Sequence, residues 1–157
     1  MKRLMLLMLL ALSTISYGQT FKEYLPSLIC TFLAGNSDGL RDASMYRMDG
    51  SNKFWNGKNS WNNKYKNGDI RQGEAYFGST SFLAFTTDGP HLTNMFTHQF
   101  NGMAMAFMPY DQNKKIGHVF LKVLAYNVVR QAGHSLVYGL IFKSTYPGDN
   151  PLPYYSH

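Results

Sequence analysis

The densest piece of reactive chemistry in the chain is Thr87-Asp88-Gly89-Pro90-His91. Asp88 and His91 stand three residues apart at the start of an expected helix, close enough for a carboxylate and an imidazole to share a proton or a metal ion. The same spacing equally suits an N-cap aspartate with a polar histidine beside it. His91 and His98 are seven residues apart, on roughly one helix face. His118 and His134 are sixteen apart, about 160° around a helix from each other, and cannot share a site without a break. Neutral imidazoles on two packed helices could hold a divalent metal together with Asp38 or Asp88. On that reading Asp88 and His91 bind the ion, and Asp38 completes its shell or acts as the catalytic base of a membrane-associated metal-dependent hydrolase. No HExxH or HxH spacing supports it, and structural or interfacial histidines are the plainer expectation.

A second constellation is the run Ser60-Trp61-Asn62-Asn63-Lys64-Tyr65-Lys66-Asn67-Gly68-Asp69. Trp55, Trp61 and Tyr65 alternate with lysines and amides. Aromatic faces stack on sugars or pack at lipid interfaces, amides bond hydroxyls, and lysines attract phosphate. Trp55, Trp61, Asn63, Lys64, Tyr65 and Lys66 are therefore the candidate ligand-binding residues, for lipid headgroups, envelope glycans or a protein partner. Nucleic acid is not expected behind an export signal. The plain alternative is an interfacial aromatic belt with snorkelling lysines. The whole region 49–73 carries five Lys/Arg against two Asp, a formal charge of +3. It contains hardly an aliphatic residue, so it cannot build a core of its own and must lie over a scaffold.

The scaffold is constrained by composition. The 157 residues suit one domain, with 45% hydrophobic and 15% charged residues, too apolar for a disordered chain. A single cysteine excludes an intrachain disulfide framework, and the apolar neighbours of Cys30 predict burial as a small hydrophobe. No Gly-rich phosphate loop and no GxSxG elbow occur. Lys2 and Arg3 precede an uncharged apolar run from Leu4 to Leu12 and a small-residue exit at Ser16 and Gly18. This is the pattern of a signal peptide over residues 1–18, cut before Gln19, or of a retained N-terminal anchor. The expected location is the cell envelope, in the membrane or the periplasm.

Beyond that segment the periodicity predicts an all-α fold, a small bundle of three to four helices. It is expected to be membrane-embedded or membrane-attached, with the long polar Asn/Lys/Trp loop between helices. One helical domain spans 19–143 and an extended, proline-bearing tail 144–157. Tyr24 to Met48 reads as a helix with Pro26 in its first turn, and Gly35 and Gly39 form a GxxxG spacing that admits a close neighbour. Asp38 and Asp42 project on one face, and Asp38 can pair with Arg41. Residues 75–87 read as a buried turn, Gly89 to Tyr110 as an uncharged helix capped by Asp88, and Ile116 to Phe142 as the longest helix. Gly102, Ala104, Ala106, Gly133 and Gly139 suit close packing in lipid. Lys122 and Arg130 oppose transmembrane helices, at about 2.5–3.5 kcal/mol each at a bilayer centre. If four stretches spanned, the basic loop would share a side with Lys2 and Arg3, in line with the positive-inside tendency, whereas Lys114 and Lys115 would not.

The run Phe54-Trp55-Asn56, Ser60-Trp61, Asn63-Lys64-Tyr65-Lys66-Asn67-Gly68-Asp69, Phe77-Gly78-Ser79-Thr80 and Thr87-Asp88-Gly89-x-His91 resembles a family of small uncharacterised envelope proteins of Bacteroidetes-type bacteria. Ala34-Gly35, Asp38-Gly39 and Ala132-Gly133-His134 with Tyr138 are similar as well, so the likeness covers about 32–142. Pro90 and His134 depart from its pattern. The resemblance implies a helical, membrane-bound protein without an assigned activity, and it carries over no catalytic residue. The functional expectation is an envelope protein that binds headgroups, glycans or a protein partner through its aromatic and basic loop. The alternatives are the metal-dependent hydrolase and a structural subunit of an envelope complex.

Overall fold

The computed structural model describes residues 21–48, 53–110 and 116–142. The apolar leader of residues 1–18, the loop residues 49–52, the turn with Lys114 and Lys115, and the tail from 144 lie outside them. Three helices carry the fold: α1 Phe21–Tyr46, α2 Gly89–Ala106 and α3 Ile116–His134, the last continuing as a π-helical stretch, Ser135–Ile141. No strand occurs among the described residues, and a lone antiparallel bridge joins Tyr65 and Glu74. The all-helical expectation therefore holds. α1 starts a turn earlier than expected, so Pro26 lies beyond the first turn and cannot donate to the carbonyl four residues before it.

α1 is the central element. Both α2 and α3 pack on it, while α2 and α3 make little contact with each other. Ser27 meets Ala104, Asp38 meets Thr97 and Arg41 meets Asn94, so α2 runs antiparallel to α1. Asp38 meets Arg130 and Asp42 meets His134, so α3 runs parallel to it. The start of α2 follows the capping rules: Asp88 accepts from the His91 amide at 2.9 Å and Pro90 occupies the first turn.

Glycine sets the α1–α3 distance. A β-carbon on Gly35 would collide with the Arg130 carbonyl, and one on Gly39 would lie 2.7 Å from the His134 carbonyl. Gly133 is pressed in turn against the Phe32 carbonyl. The GxxxG spacing is thus used for close backbone approach. Gly102 and Gly139, expected to act the same way, face open space.

The interior is unusual in what it holds. The hydrophobic cluster consists of Tyr24, Leu28 and Ala125, with Tyr126 and Val129 against it. Cys30 is buried, as expected. The largest fully buried side chains are polar: Thr93, Asp88, Ser27, Ser44, Ser60 and Ser79. The large apolar side chains lie outside, among them Phe21, Leu25 and Ile29 on α1, Met105 on α2, and Ile116, Phe120, Val123, Leu140 and Ile141 along α3 and its extension.

Two expectations are corrected. Among the described residues no helix is long and apolar enough to cross a membrane, so the transmembrane helices of the four-span reading are not found. α1 is charged in its second half, α2 carries Thr93, Asn94, His98, Gln99 and Asn101, and α3 carries Lys122 and Arg130. Residues 75–87 form turns ending in the short helix Ala84–Thr86, but they are not a buried turn, because Phe77 and Phe82 stand out from the surface.

Two substitutions separate the glycine roles. Gly133→Leu should destabilise the fold by about 3 kcal/mol, because α3 cannot retreat without losing its bonds to α1. Gly102→Ala, in open helix, should stabilise by about 0.5–1 kcal/mol. Denaturant unfolding of the two variants beside the parent protein reads both.

Candidate functional site

A seam of polar side chains runs along α1 between its two partners. Arg130 donates to Asp38 through Nη2 and through Nε, the latter at 3.2 Å. Thr97 donates to the other Asp38 oxygen at 3.2 Å, and Arg41 lies 3.5 Å from it. Arg41 also donates to Asn94 at 3.3 Å and to Asp42 at 3.4 Å, and His134 Nε2 sits 3.0 Å from Asp42. Two carboxylates thus face two guanidiniums, with imidazole at the edge. The Asp38 side chain is only 14% exposed, so each missing partner would leave a partly desolvated charge.

The seam is closed at both ends. Toward the N-terminus of α1, the Tyr126 hydroxyl donates to Ser27 at 2.8 Å and the Ser27 hydroxyl to the Ala104 carbonyl at 2.6 Å, joining three helices through two hydrogen bonds. Burial pushes the Tyr126 phenol above its ordinary value, against the Ser27 bond that lowers it. Toward the C-terminus, the Arg47 guanidinium lies 3.6 Å over the Tyr138 ring and donates to the carbonyls of Tyr138 and Phe142. It satisfies orphan carbonyls where the π-helical stretch ends. Lys122 turns onto the Tyr24 ring, its Nζ 5.2 Å from the centroid. Both charges of α3 therefore point inward.

The polar loop is bolted over the ends of α1 and α2. The Gly89 amide donates to Phe54 at 2.7 Å and the Gly57 amide to Ser44 at 3.0 Å. Asn63 donates to the carbonyls of Lys53 at 3.0 Å and Thr87 at 3.1 Å. Trp55 packs on Gly89, where a β-carbon would strike its ring. Asn63 and Trp55, expected to meet ligand, thus hold the loop to the scaffold. Trp61, Lys64, Tyr65 and Lys66 stay at or near the surface: Trp61 donates to the Lys58 carbonyl, stands edge-on to Tyr65 at 6.3 Å, and Lys64 Nζ lies 5.3 Å from the Tyr65 centroid. Asp69 caps the neighbouring turn and is held below the usual carboxylate range by the Arg71 side chain.

Asp88 and His91 do come together. Nδ1 of His91 lies 2.8 Å from both Asp88 oxygens, and Thr87 donates to the carboxylate at 3.0 Å. Asp88 is buried, whereas the His91 side chain is 41% exposed. Asp38 does not join them. It lies level with Thr97, nine residues along α2 from Asp88, about 13 Å at the helical rise. Among the described residues no group of three His, Cys, Asp or Glu side chains could hold a metal ion. The expected Asp38–Asp88–His91 set is not assembled, because Asp38 is turned into the helix seam. The sequence placed Asp38 and Asp42 on one face and paired Asp38 with Arg41, as found, but did not point to their α3 partners, Arg130 and His134. The available signal was the matching four-residue spacing of Arg130 and His134 on α3.

Comparison of the chain with protein-family models, with curated proteins and with solved structures gave no match.

Asp38→Leu alone should cost about 2–4 kcal/mol, as it strands Arg130, and the double variant Asp38→Leu/Arg130→Leu should recover most of that loss in unfolding measurements. The Tyr126 bond should respond to alkali. A raised phenol pKa means the folded state holds its proton more tightly than the unfolded chain. Its stabilising contribution is therefore full below the unfolded value near pH 10 and lost as pH rises through the folded value. Tyr126→Phe should flatten that alkaline fall in a pH series of unfolding midpoints.

Proposed function

We propose that this is an exported cell-envelope protein that works against a lipid bilayer, its apolar flanks in contact with hydrocarbon and its aromatic and basic loop in contact with headgroups. The observation that supports this is the reversal of polarity between inside and outside. Serine, threonine and aspartate share the interior with a small cluster of mostly small apolar residues, while many large phenylalanine, leucine, isoleucine and methionine side chains lie on the outer faces of all three helices. A water-soluble monomer of this size rarely leaves so many large apolar side chains exposed. In contact with lipid the same surface is satisfied, and the polar groups turned inward find their partners within the protein.

Attachment of this kind does not require a spanning helix. Amphipathic elements lie at the headgroup boundary with their apolar side buried, and nearby cations add attraction to anionic lipid. Trp61, Tyr65, Lys64 and Lys66 have the chemistry of that boundary. The basic, apolar N-terminal segment points the same way.

The full-length chain should bind vesicles of phosphatidylglycerol more tightly than vesicles of phosphatidylcholine, with an affinity that falls as salt is raised. Trp61→Ala/Lys64→Ala should weaken binding to the anionic vesicles by about tenfold, since each surface cation contributes about 1 kcal/mol. Unchanged affinity would remove the loop from the contact. A stoichiometric partner chain retained in mild detergent, with no affinity for vesicles, would instead assign the apolar faces to a subunit interface.

A further inference from the structure

We propose that the turn carrying Phe77 and Phe82 is a preformed anchor that inserts two phenyl rings below the headgroups of an anionic lipid surface. The proposal rests on the lipid reading above and names the part of the molecule that enters the bilayer. Phe77 is 83% exposed and Phe82 62%, and their rings meet edge to face at 5.7 Å. Large side chains this exposed usually stand on mobile loops. These stand on a turn held from several sides.

Ser79, fully buried, is the bolt. Its hydroxyl donates to the Lys64 carbonyl at 2.7 Å and accepts from the Ala75 amide at 3.1 Å. The Glu74 carboxylate accepts from the Gly78 amide at 3.1 Å and from the Thr80 hydroxyl, bonds that hold it below the usual carboxylate range. The Leu83 and Ser81 amides both donate to the Gly78 carbonyl. Gly78 itself has φ +80°, and a β-carbon there would lie 2.7 Å from the Phe82 ring. Only glycine gives both the left-handed backbone and the room for the ring to fold across it. The conformation that displays the rings is thus set before any partner arrives, which lowers the entropic cost of docking.

The chemistry around the turn selects the partner. Ser79 and the Ala75 amide both bond the Lys64 carbonyl, so the rings and the Trp61–Tyr65 pair belong to one rigid unit. Residues 58–82 hold Lys58, Lys64, Lys66 and Arg71 against Asp69 and Glu74, a formal charge of +2. Asp69 is paired with Arg71, and Glu74, bonded only to neutral groups of the turn, keeps its charge, so three lysines stand against one acid. Phenyl rings on a turn bonded to the segment that carries the lysines and the indole match a surface with hydrocarbon beneath and phosphate above.

The test uses the full chain and vesicles of phosphatidylcholine and phosphatidylglycerol at 3:1. In Phe77→Trp, chains brominated near the headgroups should quench an indole signal that the parent protein lacks, and its emission should shift to the blue on binding. Phe77→Ala/Phe82→Ala should lower vesicle affinity by tenfold or more with an unchanged far-ultraviolet dichroism spectrum, and Phe77→Leu/Phe82→Leu should restore part of it. Persistent vesicle binding without the added quenching, or equal affinity of the double alanine variant, overturns the anchor and leaves the lipid reading in place. Absence of any binding by the parent chain overturns both.

Discussion

Arg130 reaches the Asp38 carboxylate because Gly35 leaves no side chain between the backbones of α1 and α3. That close approach is the constraint on which the remaining architecture rests. It places Asp42 beside His134 one turn further on, and brings the end of the π-helical stretch within reach of Arg47. With so few apolar side chains buried, the helices are joined largely by polar contacts, each made in a partly desolvated space where a missing partner is costly. The exchange of a methylene-rich core for carboxylates, guanidiniums and hydroxyls explains why most of the large aliphatic residues of α3, such as Ile116, Val119, Leu121, Val123 and Leu124, can turn outward.

The two polar regions do different work. The seam consumes its own charges: each acid has a base, and the flanking amide and hydroxyl of Asn94 and Thr97 take up positions left over. Such a network fixes helix register. The loop divides its side chains. Trp55 and Asn63 face the helix ends and hold the loop down, which allows Trp61, Lys64, Tyr65 and Lys66 to remain on a firm support.

What the sequence revealed was local. The N-cap at Asp88, the approximate positions of the three helices, the burial of Cys30 and the small-residue notch at Gly35 and Gly39 can each be read from a few neighbouring residues, and each is found in the structure, some helix ends differing by a turn or more. What it did not reveal depends on distant residues or on surroundings. The pairing of Asp38 with Arg130 joins positions 92 apart, and only the shared four-residue spacing of Asp38/Asp42 and Arg130/His134 links the two segments. Lys122 and Arg130 read as breaks in an apolar helix because composition does not tell which way a side chain points. Phe77 and Phe82 read as buried because apolar residues in water usually are; the turn that exposes them is determined by Ser79 and Glu74. Asp38 looked like a companion for Asp88 and His91 on the strength of residue type, whereas helix geometry puts them on different levels of α2.

The central position of the first helix has a consequence for biosynthesis. α1 leaves the ribosome first, yet its second partner contributes Arg130 only 92 residues after Asp38. At ordinary elongation rates that interval is roughly 5–20 s. α2 emerges sooner and can cover one flank through Ser27, Asp38 and Arg41. The opposite flank, with Gly35, Gly39 and the Asp38 and Asp42 oxygens that meet α3, must wait. A nascent chain in that state presents a notched stripe whose aspartates have Arg41 but not yet Arg130 or His134, so assembly is ordered in time as well as in space, with α3 as the closing piece.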